Sequence, residues 1–169
     1  MTQELRFIAD GMLGKLTRWL RMLGCNVEYV GDIDDKKLME KAEKEKRVLL
    51  TSDVELYRRA ELKGIKTFLV KSTNIVDELA KIALKFNLSL EMNADTSRCP
   101  KCNSKVRRAS KEEVKGLIPE GTWKRKEVFW ICVGCGQIYW IGSHWKRINK
   151  TLFEAKRKLE FLERKPQHL

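Results

Sequence analysis

Strand-like and helix-like segments alternate through the first half of the chain, and this alternation limits the fold more than any other feature. Short apolar runs at residues 5–9, 26–30, 47–51 and 66–70 have the length and composition of buried strands. Each run is followed by a segment whose apolar residues recur at helical spacing. Such alternation predicts βαβ units, and therefore a parallel sheet that is covered by helices on both faces.

The alternation stops after the fourth helix-like segment. Residues 89–97 show no period and are interpreted as a linker or a final edge strand. A last amphipathic helix is predicted over residues 151–164. We therefore expect an α/β domain at 1–95, a cysteine-containing module at 96–148, and a C-terminal helix and tail at 149–169.

Four of the five cysteines form two pairs, Cys99 with Cys102 and Cys132 with Cys135, each with two residues between the thiols. Two such turns can present four thiolates to one tetrahedral ion, which is the arrangement of structural zinc sites. Disulfides are the main alternative, but the chain shows no export signal and is expected in the reducing cytoplasm. A redox CxxC motif normally occurs once, next to a βαβ unit. The spacing therefore predicts a small zinc ribbon.

Four thiolates would fill the coordination sphere of the zinc and leave no position for a reacting water. We therefore predict that this zinc stabilises the fold and does not catalyse. The fifth cysteine, Cys25, has no partner at motif spacing and is predicted to be a small buried residue.

Positive charge is concentrated in the C-terminal part of the chain. Of the net charge of +12, residues 96–169 contribute most, with 18 Lys and Arg against 7 Asp and Glu, whereas residues 1–95 contain 17 against 16. A locally basic module is typical of a polyanionic partner such as nucleic acid, and a solvated surface is the alternative.

Aromatic and basic residues are interleaved after the second cysteine pair. The candidate RNA contacts there are Trp140, His144, Trp145, Lys146 and Arg147. Aromatic rings can stack on bases while cations bind phosphates. For the two tryptophans, packing in the core of a small zinc module is an equally good explanation.

Acidic residues follow three of the predicted strands. These residues are Asp10, Asp32, Asp34, Asp35 and Asp53. Taken singly, each can be explained as a helix cap, and residues 52–55 fit a capping box. Because parallel strands end along one edge of a sheet, the same residues are also expected to gather at that edge.

A cluster of carboxylates repels itself unless a cation is shared among its members. Mg²⁺ and Mn²⁺ prefer oxygen ligands, and a site of this kind can activate water and stabilise charge on a phosphodiester. Lys15, Arg18 and Arg21 on the first predicted helix are candidates to position substrate phosphates.

Several separated motifs resemble those of the Mut7-C RNase family. In order along the chain they are DGMLGKLTRWLRMLG, LLTSDVEL, RCPKC, CVGCGQIYW and GSHWKR, and the resemblance covers about residues 5–148. The family consists of a PIN-like nuclease domain followed by a zinc ribbon. The resemblance implies a PIN-like three-layer α/β/α parallel sheet, a small zinc ribbon and metal-dependent cleavage of RNA.

The resemblance also implies roles for the acidic residues. Asp10 matches the family's acid after the first strand, and Asp53 matches the acid of the T-x-D motif. Asp34 and Asp35 are the nearest candidates for the second acid, with Asp32 as the third.

The sequence departs from the family pattern after the fourth strand. Nucleases of this kind often carry another Asp there, but residues 71–74 read Lys-Ser-Thr-Asn, and Asp77 lies about a turn too far along. The four paired cysteines match the zinc ligands of the family without gaps.

Together these features predict a cytoplasmic endoribonuclease that depends on Mg²⁺ or Mn²⁺, with a basic zinc ribbon that holds RNA. Its catalytic acids would be Asp10, Asp34, Asp35 and Asp53. The alternative is a catalytically weak or inactive PIN-like protein that binds RNA or a ribonucleoprotein. A phosphatase or nucleotide-binding domain is less well supported, because the chain lacks a glycine-rich phosphate loop. No membrane segment is expected, and the sequence does not indicate the oligomeric state.

Overall fold

The computed structural model describes residues 4–165, within which seven strands and six helices are found. In chain order these elements are β1 (Arg6–Ala9), α1 (Gly14–Met22), β2 (Asn26–Tyr29), α2 (Asp35–Lys44), β3 (Val48–Thr51), α3 (Val54–Leu62), β4 (Thr67–Leu69), α4 (Ile75–Phe86), β5 (Val106–Ala109), α5 (Glu120–Arg125), β6 (Phe129–Cys132), β7 (Ile138–Trp140) and α6 (His144–Arg164). The first eight elements alternate between strand and helix, as the sequence predicts.

The first four strands form one parallel sheet in the order β2-β1-β3-β4. The central strands β1 and β3 pair directly, with Phe7 opposite Val48 and Ala9 opposite Leu50. From β1 the chain first adds a strand on one side and then crosses to the other side. The loops that follow β1 and β3 therefore start side by side, at the point where open α/β sheets bind their ligands.

Helices cover both faces of this sheet because its strands are apolar on both sides. Phe7 and Ala9 of β1 face a core that also contains residues of α1, α4 and α6. Ile8, between them, faces a second core formed with α2 and α3. The structure thus confirms a mixed α/β architecture with a parallel sheet.

The C-terminal helix α6 begins at His144, seven residues earlier than the predicted start at residue 151. The apolar stripe also begins earlier, because Trp145 and Ile148 precede Leu152 and Ala155 at helical spacing. Leu152 and Ala155 are buried in the core that also contains residues of α1 and α4. The helix therefore belongs to the packing of the α/β layer.

The cysteine-containing segment forms a separate antiparallel sheet, in the order β5-β6-β7. The preceding residues 89–97 contain no strand, so the linker interpretation is the one that the structure supports. Within residues 4–165, no helix is both long enough and apolar enough to cross a membrane.

Local signals at the helix ends are largely confirmed. Gly24 has φ of 88° directly after α1, a conformation that glycine adopts readily. Asp34 and Asp53 are the N-caps of α2 and α3. The capping box at 52–55 is wrong in detail, because Asp53 caps the helix instead of Ser52 and Glu55 forms an ion pair with Arg58.

Candidate functional site

The four paired cysteines meet at one point. Their sulfur atoms all lie within 4.8 Å of one another, and the contacts include Cys99 with Cys135 at 3.7 Å and Cys102 with Cys132 at 3.3 Å. Sulfur ligands in a tetrahedral zinc site are about 3.8 Å apart. The cluster therefore fits a metal ion such as zinc, as the spacing predicts.

Backbone amides in the turn around the second pair donate hydrogen bonds to the first of its two sulfurs. The amides of Gly134 and Cys135 each lie 3.4 Å from the Cys132 sulfur and donate to it. A side chain at Gly134 would require Ser104 to move, because its Cβ would lie 2.2 Å from the Ser104 hydroxyl oxygen. Packing thus explains one of the two glycines that follow Cys132.

The thiols of the cluster differ in acidity. A hydrogen bond from the Ser104 side chain lowers the pKa of Cys102 to about 6. Burial raises the pKa of Cys132 to about 12, so a bound cation has to displace its proton. Burial likewise raises the pKa of Tyr139, whose hydroxyl lies 3.1 Å from the Cys99 sulfur and can donate to it.

Arg21 joins the cysteine cluster to the α/β layer. Its guanidinium donates to the carbonyls of Pro100 at 3.0 Å and Lys101 at 3.3 Å, and also to Val27 at 2.9 Å. Only 7% of its surface is exposed. The expectation that Arg21 contacts substrate phosphates is therefore wrong, because its side chain is buried and its donors face backbone carbonyls.

A cleft of about 570 Å³ lies at the carboxyl edge of the parallel sheet. Four acidic residues from the loops after β1, β2 and β3 line it, and we call it the acidic cleft: Asp10, Asp32, Asp35 and Asp53. The loops approach closely, since a Cβ on Gly11 would lie 3.0 Å from the Gly31 carbonyl oxygen. The strand order thus brings together acids that are up to 43 residues apart.

Thr51 connects the two acids that follow the central strands. Its buried hydroxyl donates to Asp10 Oδ2 and accepts from the Asp53 amide at 3.0 Å. Asp10 Oδ1 accepts from the Met12 amide at 3.1 Å. Sequence analysis places Thr51 only within a motif, and this bridging role depends on the pairing of β1 with β3.

Asp53 also acts as the cap that its position predicts. Its Oδ1 accepts from the amides of Glu55 at 2.7 Å and Leu56 at 3.1 Å. Both bonds use the same oxygen. The capping role and a place in the cleft are therefore combined in one side chain.

The two nearest candidates for the second acid have different surroundings, and Asp32, the third candidate, lines the cleft. Asp34 does not line the cleft but caps α2, accepting from the Lys37 amide at 3.0 Å, and this bond lowers its pKa. Asp35 lines the cleft and forms an ion pair with Arg59. Of the two adjacent residues, only Asp35 thus lines the cleft together with Asp10 and Asp53.

The ligand atoms of the acidic cleft lie farther from one another than those of the cysteine cluster. Among residues 4–165, only the cysteines bring three or more ligand atoms within 4.8 Å of one another. The cleft nevertheless offers several carboxylate oxygens, which are the ligands that Mg²⁺ and Mn²⁺ prefer. Its donor chemistry therefore fits such an ion, although the oxygens lie farther apart.

A second cleft, of about 650 Å³, adjoins the acidic cleft and shares Met12 and Ser52 with it. Lys15 and Lys71 line this second cleft, together with Glu78. Glu78 is only 2% exposed, and its Oε2 has no hydrogen-bond partner in the part of the chain that the structure describes. A buried carboxylate oxygen without a hydrogen-bond partner is unusual in folded proteins. This side of the second cleft therefore contains an unsatisfied acceptor.

Glu78 is a residue that sequence analysis missed. It lies directly after Asp77, which the family pattern draws attention to and which forms an ion pair with Lys158 of α6 at 3.2 Å. The available signal was an acid placed among the apolar residues of α4, next to Leu79.

The predicted RNA contacts are spread over two surfaces. Lys15 and Arg18 are exposed on α1, and Lys15 lines the second cleft. The others lie at the end of β7 and the start of α6, where the tryptophans are half-buried and the polar residues exposed: Trp140, His144, Trp145, Lys146 and Arg147. The Arg147 guanidinium donates to His144 Nδ1 at 2.6 Å, which leaves the histidine proton on Nε2.

Comparison with known proteins identifies relatives of the chain. The family model described as "Mut7-C RNAse domain" matches residues 5–152. The human protein named "Exonuclease mut-7 homolog" is 31% identical over 117 residues, which cover 67% of this chain and 13% of that protein. The chain thus spans a small part of that relative. No solved structure matches the chain.

Proposed function

The chain belongs to the Mut7-C RNAse domain family, and we propose from this membership that it is a ribonuclease that hydrolyses RNA at the acidic cleft. The named relative is also described as a nuclease. The observation that carries the proposal is the cleft itself, in which acids from three separate loops gather at the switch point of a parallel sheet. A PIN-like three-layer arrangement is the form of this fold that we propose.

In this proposal Asp10 and Asp53 hold Mg²⁺ or Mn²⁺, and Asp35 completes the site or orients the attacking water. The ion, when bound, would supply charge stabilisation at the phosphodiester and a more acidic water. Thr51 fixes one oxygen of Asp10 through its hydroxyl, and the start of α3 fixes one oxygen of Asp53. Asp34 is assigned a capping role, because it lies outside the cleft.

The basic parts of the chain would hold the substrate. Lys15 and Arg18 are placed to bind phosphates beside the clefts, and the exposed cations at the start of α6 extend the positive surface. Residues 1–95 would thus hydrolyse RNA while residues 96–148 bind it. Zinc in the cysteine cluster would keep the second part folded.

The decisive experiment compares wild type with Asp53→Asn. Asparagine caps a helix about as well as aspartate, so the variant is expected to fold normally. We expect Mn²⁺-dependent RNA cleavage to be lost while RNA affinity stays nearly intact. Cleavage at the wild-type rate would remove Asp53 from the mechanism. A circular RNA tests the internal mode of cleavage, since it has no ends for an exonuclease.

A second candidate function is RNA binding without hydrolysis. It is favoured by the separation of the carboxylate oxygens, which do not approach one another as the cysteine sulfurs do. Absence of cleavage by wild type on single-stranded, duplex and structured RNAs, with either Mg²⁺ or Mn²⁺ present, would favour it.

A further inference from the structure

An apolar groove of about 270 Å³ lies where the α/β layer meets the three-stranded sheet. We call it the aromatic groove, and the residues that line it include Met22, Met92, Trp130, Tyr139, Trp140 and Trp145. It is formed by the end of α1, the linker before the cysteines, the β5-β6-β7 sheet and the start of α6. It is separate from the acidic cleft, with which it shares no residue.

Two of the aromatic residues in the groove are held by structural hydrogen bonds. Trp130 is 5% exposed, and its indole N–H donates to Asp95 Oδ1 at 2.8 Å. The Tyr139 hydroxyl is directed to the Cys99 sulfur. These residues form a fixed floor. Trp140 and Trp145 are only half-buried, so their rings contribute to the accessible walls of the groove.

Basic side chains lie beside the groove. Arg98 and His144 line it, and Lys146 and Arg147, which follow in the first turn of α6, are exposed although they do not line it. The first turn of α6 contains no acidic residue, and Ser143 makes no side-chain capping bond there. An anion is therefore favoured beside an apolar, aromatic groove.

This combination fits a nucleotide better than an apolar peptide. Every base has a π-face that stacks on aromatic rings, and every nucleotide carries a phosphate for the cations. A base inside a duplex is stacked and paired, so it cannot enter the groove. An unpaired base meets no such obstacle.

Helix α1 extends from the groove to the second cleft, which adjoins the acidic cleft. Met22 lines the groove at one end of the helix, and Lys15 lines the second cleft at the other end. Lys15, Arg18 and Met22 are three and four residues apart, which places them on one side of α1. The rise from Lys15 to Met22 is about 10 Å. One RNA strand can therefore follow this side of the helix.

We propose that the aromatic groove binds an unpaired nucleobase of the RNA strand whose backbone passes along α1 to the acidic cleft. The preferred substrate is thus RNA with a single-stranded segment next to the cleavage position. This substrate class rests on the proposed ribonuclease function, whereas binding of the base does not require hydrolysis.

The test measures binding by fluorescence anisotropy, with the full zinc-loaded chain and without Mg²⁺ or Mn²⁺. The probes are a short single-stranded RNA, the same RNA carrying abasic positions, and its fully paired duplex. We expect the abasic RNA and the duplex each to bind about 10-fold more weakly than the intact single strand. Equal affinity for all three probes would overturn the proposal.

Matched tryptophan variants locate the effect. Trp145→Ala is expected to weaken binding of the intact single strand about 10-fold and to leave binding of the abasic RNA unchanged. Trp123→Ala is the control, since Trp123 lies on α5, where its indole donates to the Lys111 carbonyl outside the groove. Trp145→Tyr should restore most of the affinity because it keeps an aromatic face. A purely structural role of Trp145 predicts instead an equal loss for both RNAs, which would contradict the proposal.

The outcomes separate this proposal from the proposed function. If wild type cleaves no RNA but binding still depends on the base and on Trp145, the groove assignment holds and the ribonuclease fails. If cleavage requires Asp53 but the affinity does not depend on the base, the ribonuclease proposal is supported and the groove assignment is wrong.

Discussion

The cysteine cluster and the acidic cleft gather residues that are similarly far apart in the chain, yet they converge to different degrees. Cys99 and Cys135 are 36 residues apart and their sulfurs lie 3.7 Å from each other. Asp10 and Asp53 are 43 residues apart and are connected through the hydroxyl and backbone of Thr51. The cysteines meet directly, whereas the acids share a cleft.

The difference follows from what else each side chain does. The thiols pack against one another in the turns at one end of the β5-β6-β7 sheet, a module with few other buried side chains. Asp10 and Asp53 instead accept hydrogen bonds from nearby amides and from the Thr51 hydroxyl, which hold them in place. We therefore expect cysteine substitutions to lower stability and acid substitutions to lower activity.

The largest expected effect is that of Cys132→Ser on the folded state. Loss of one thiolate should reduce the zinc content from about one ion per chain to nearly none, and the β5-β6-β7 sheet should unfold. Structural zinc contributes about 10 kcal/mol or more to small zinc modules. Elemental analysis and thermal denaturation measure both consequences.

Cys25→Ala is the control for this substitution. Cys25 is buried in the core of the α/β layer, outside the cluster, and its removal should leave the zinc content unchanged. A Cys132→Ser protein that keeps its zinc and its melting temperature would show that the convergence of the sulfurs does not reflect a metal site.

The next effect distinguishes two adjacent acids. Asp35→Asn removes a carboxylate from the acidic cleft and should lower the cleavage rate about 100-fold or more if Asp35 orients the water. Asp34→Asn should keep the α2 cap and change the rate little, because Asp34 lies outside the cleft. Single-turnover cleavage assays measure both rates. A larger loss in Asp34→Asn than in Asp35→Asn would reverse the assignment.

A smaller effect is expected from Thr51→Val, which keeps the shape of the side chain and removes its hydroxyl. The Asp53 amide then loses its acceptor and Asp10 loses a donor, which should cost about 1 kcal/mol of unfolding free energy. Urea denaturation measures this loss. Thr51→Ser retains the hydroxyl and should restore cleavage, although it leaves a small cavity. If Thr51→Val cleaves RNA like wild type, the bridge does not position the acids.

Much of this architecture could be predicted from the sequence because the signals are local. Period and turn residues place the first eight elements, and the CxxC spacing predicts the cysteine cluster. Helix α6 starts seven residues before the predicted residue 151, because its apolar stripe already begins at Trp145.

The contacts that could not be predicted from the sequence depend on strand order and on packing between distant segments. The pairing of β1 with β3 decides that Asp10 and Asp53 are neighbours, and nothing local to either residue specifies it. The amphipathic pattern of α1 predicts that Arg21 contacts phosphates, but the cysteine-containing segment packs against it and its guanidinium donates to the Pro100 carbonyl. Asp34 and Asp35 are adjacent in the chain. The position at which α2 begins decides that Asp34 caps the helix and that Asp35 lines the cleft.

The smallest expected effect concerns the attachment of the β5-β6-β7 sheet to the linker. Asp95 accepts two hydrogen bonds from Arg108 at 2.7 Å and one from the Trp130 indole, and the bonds from Arg108 contribute most to lowering its pKa from 3.8 to about 2. Because the folded-state pKa is lowered, the stabilisation is complete above about pH 4 and is lost as the pH falls towards 2.

A double-mutant cycle of Asp95→Ala and Arg108→Ala, followed by thermal denaturation between pH 6 and pH 2, measures this contribution. The coupling between the two residues should be constant above pH 4 and should vanish near pH 2. It should be small, because both side chains are largely exposed and salt screens the pair. A coupling that grows as the pH falls would contradict the ionised pair. Protonation of the cysteine thiols is expected to release zinc in the same pH range, so the zinc content is measured at each pH. The cycle compares all four proteins at one pH, so a loss of zinc that they share cancels in the coupling.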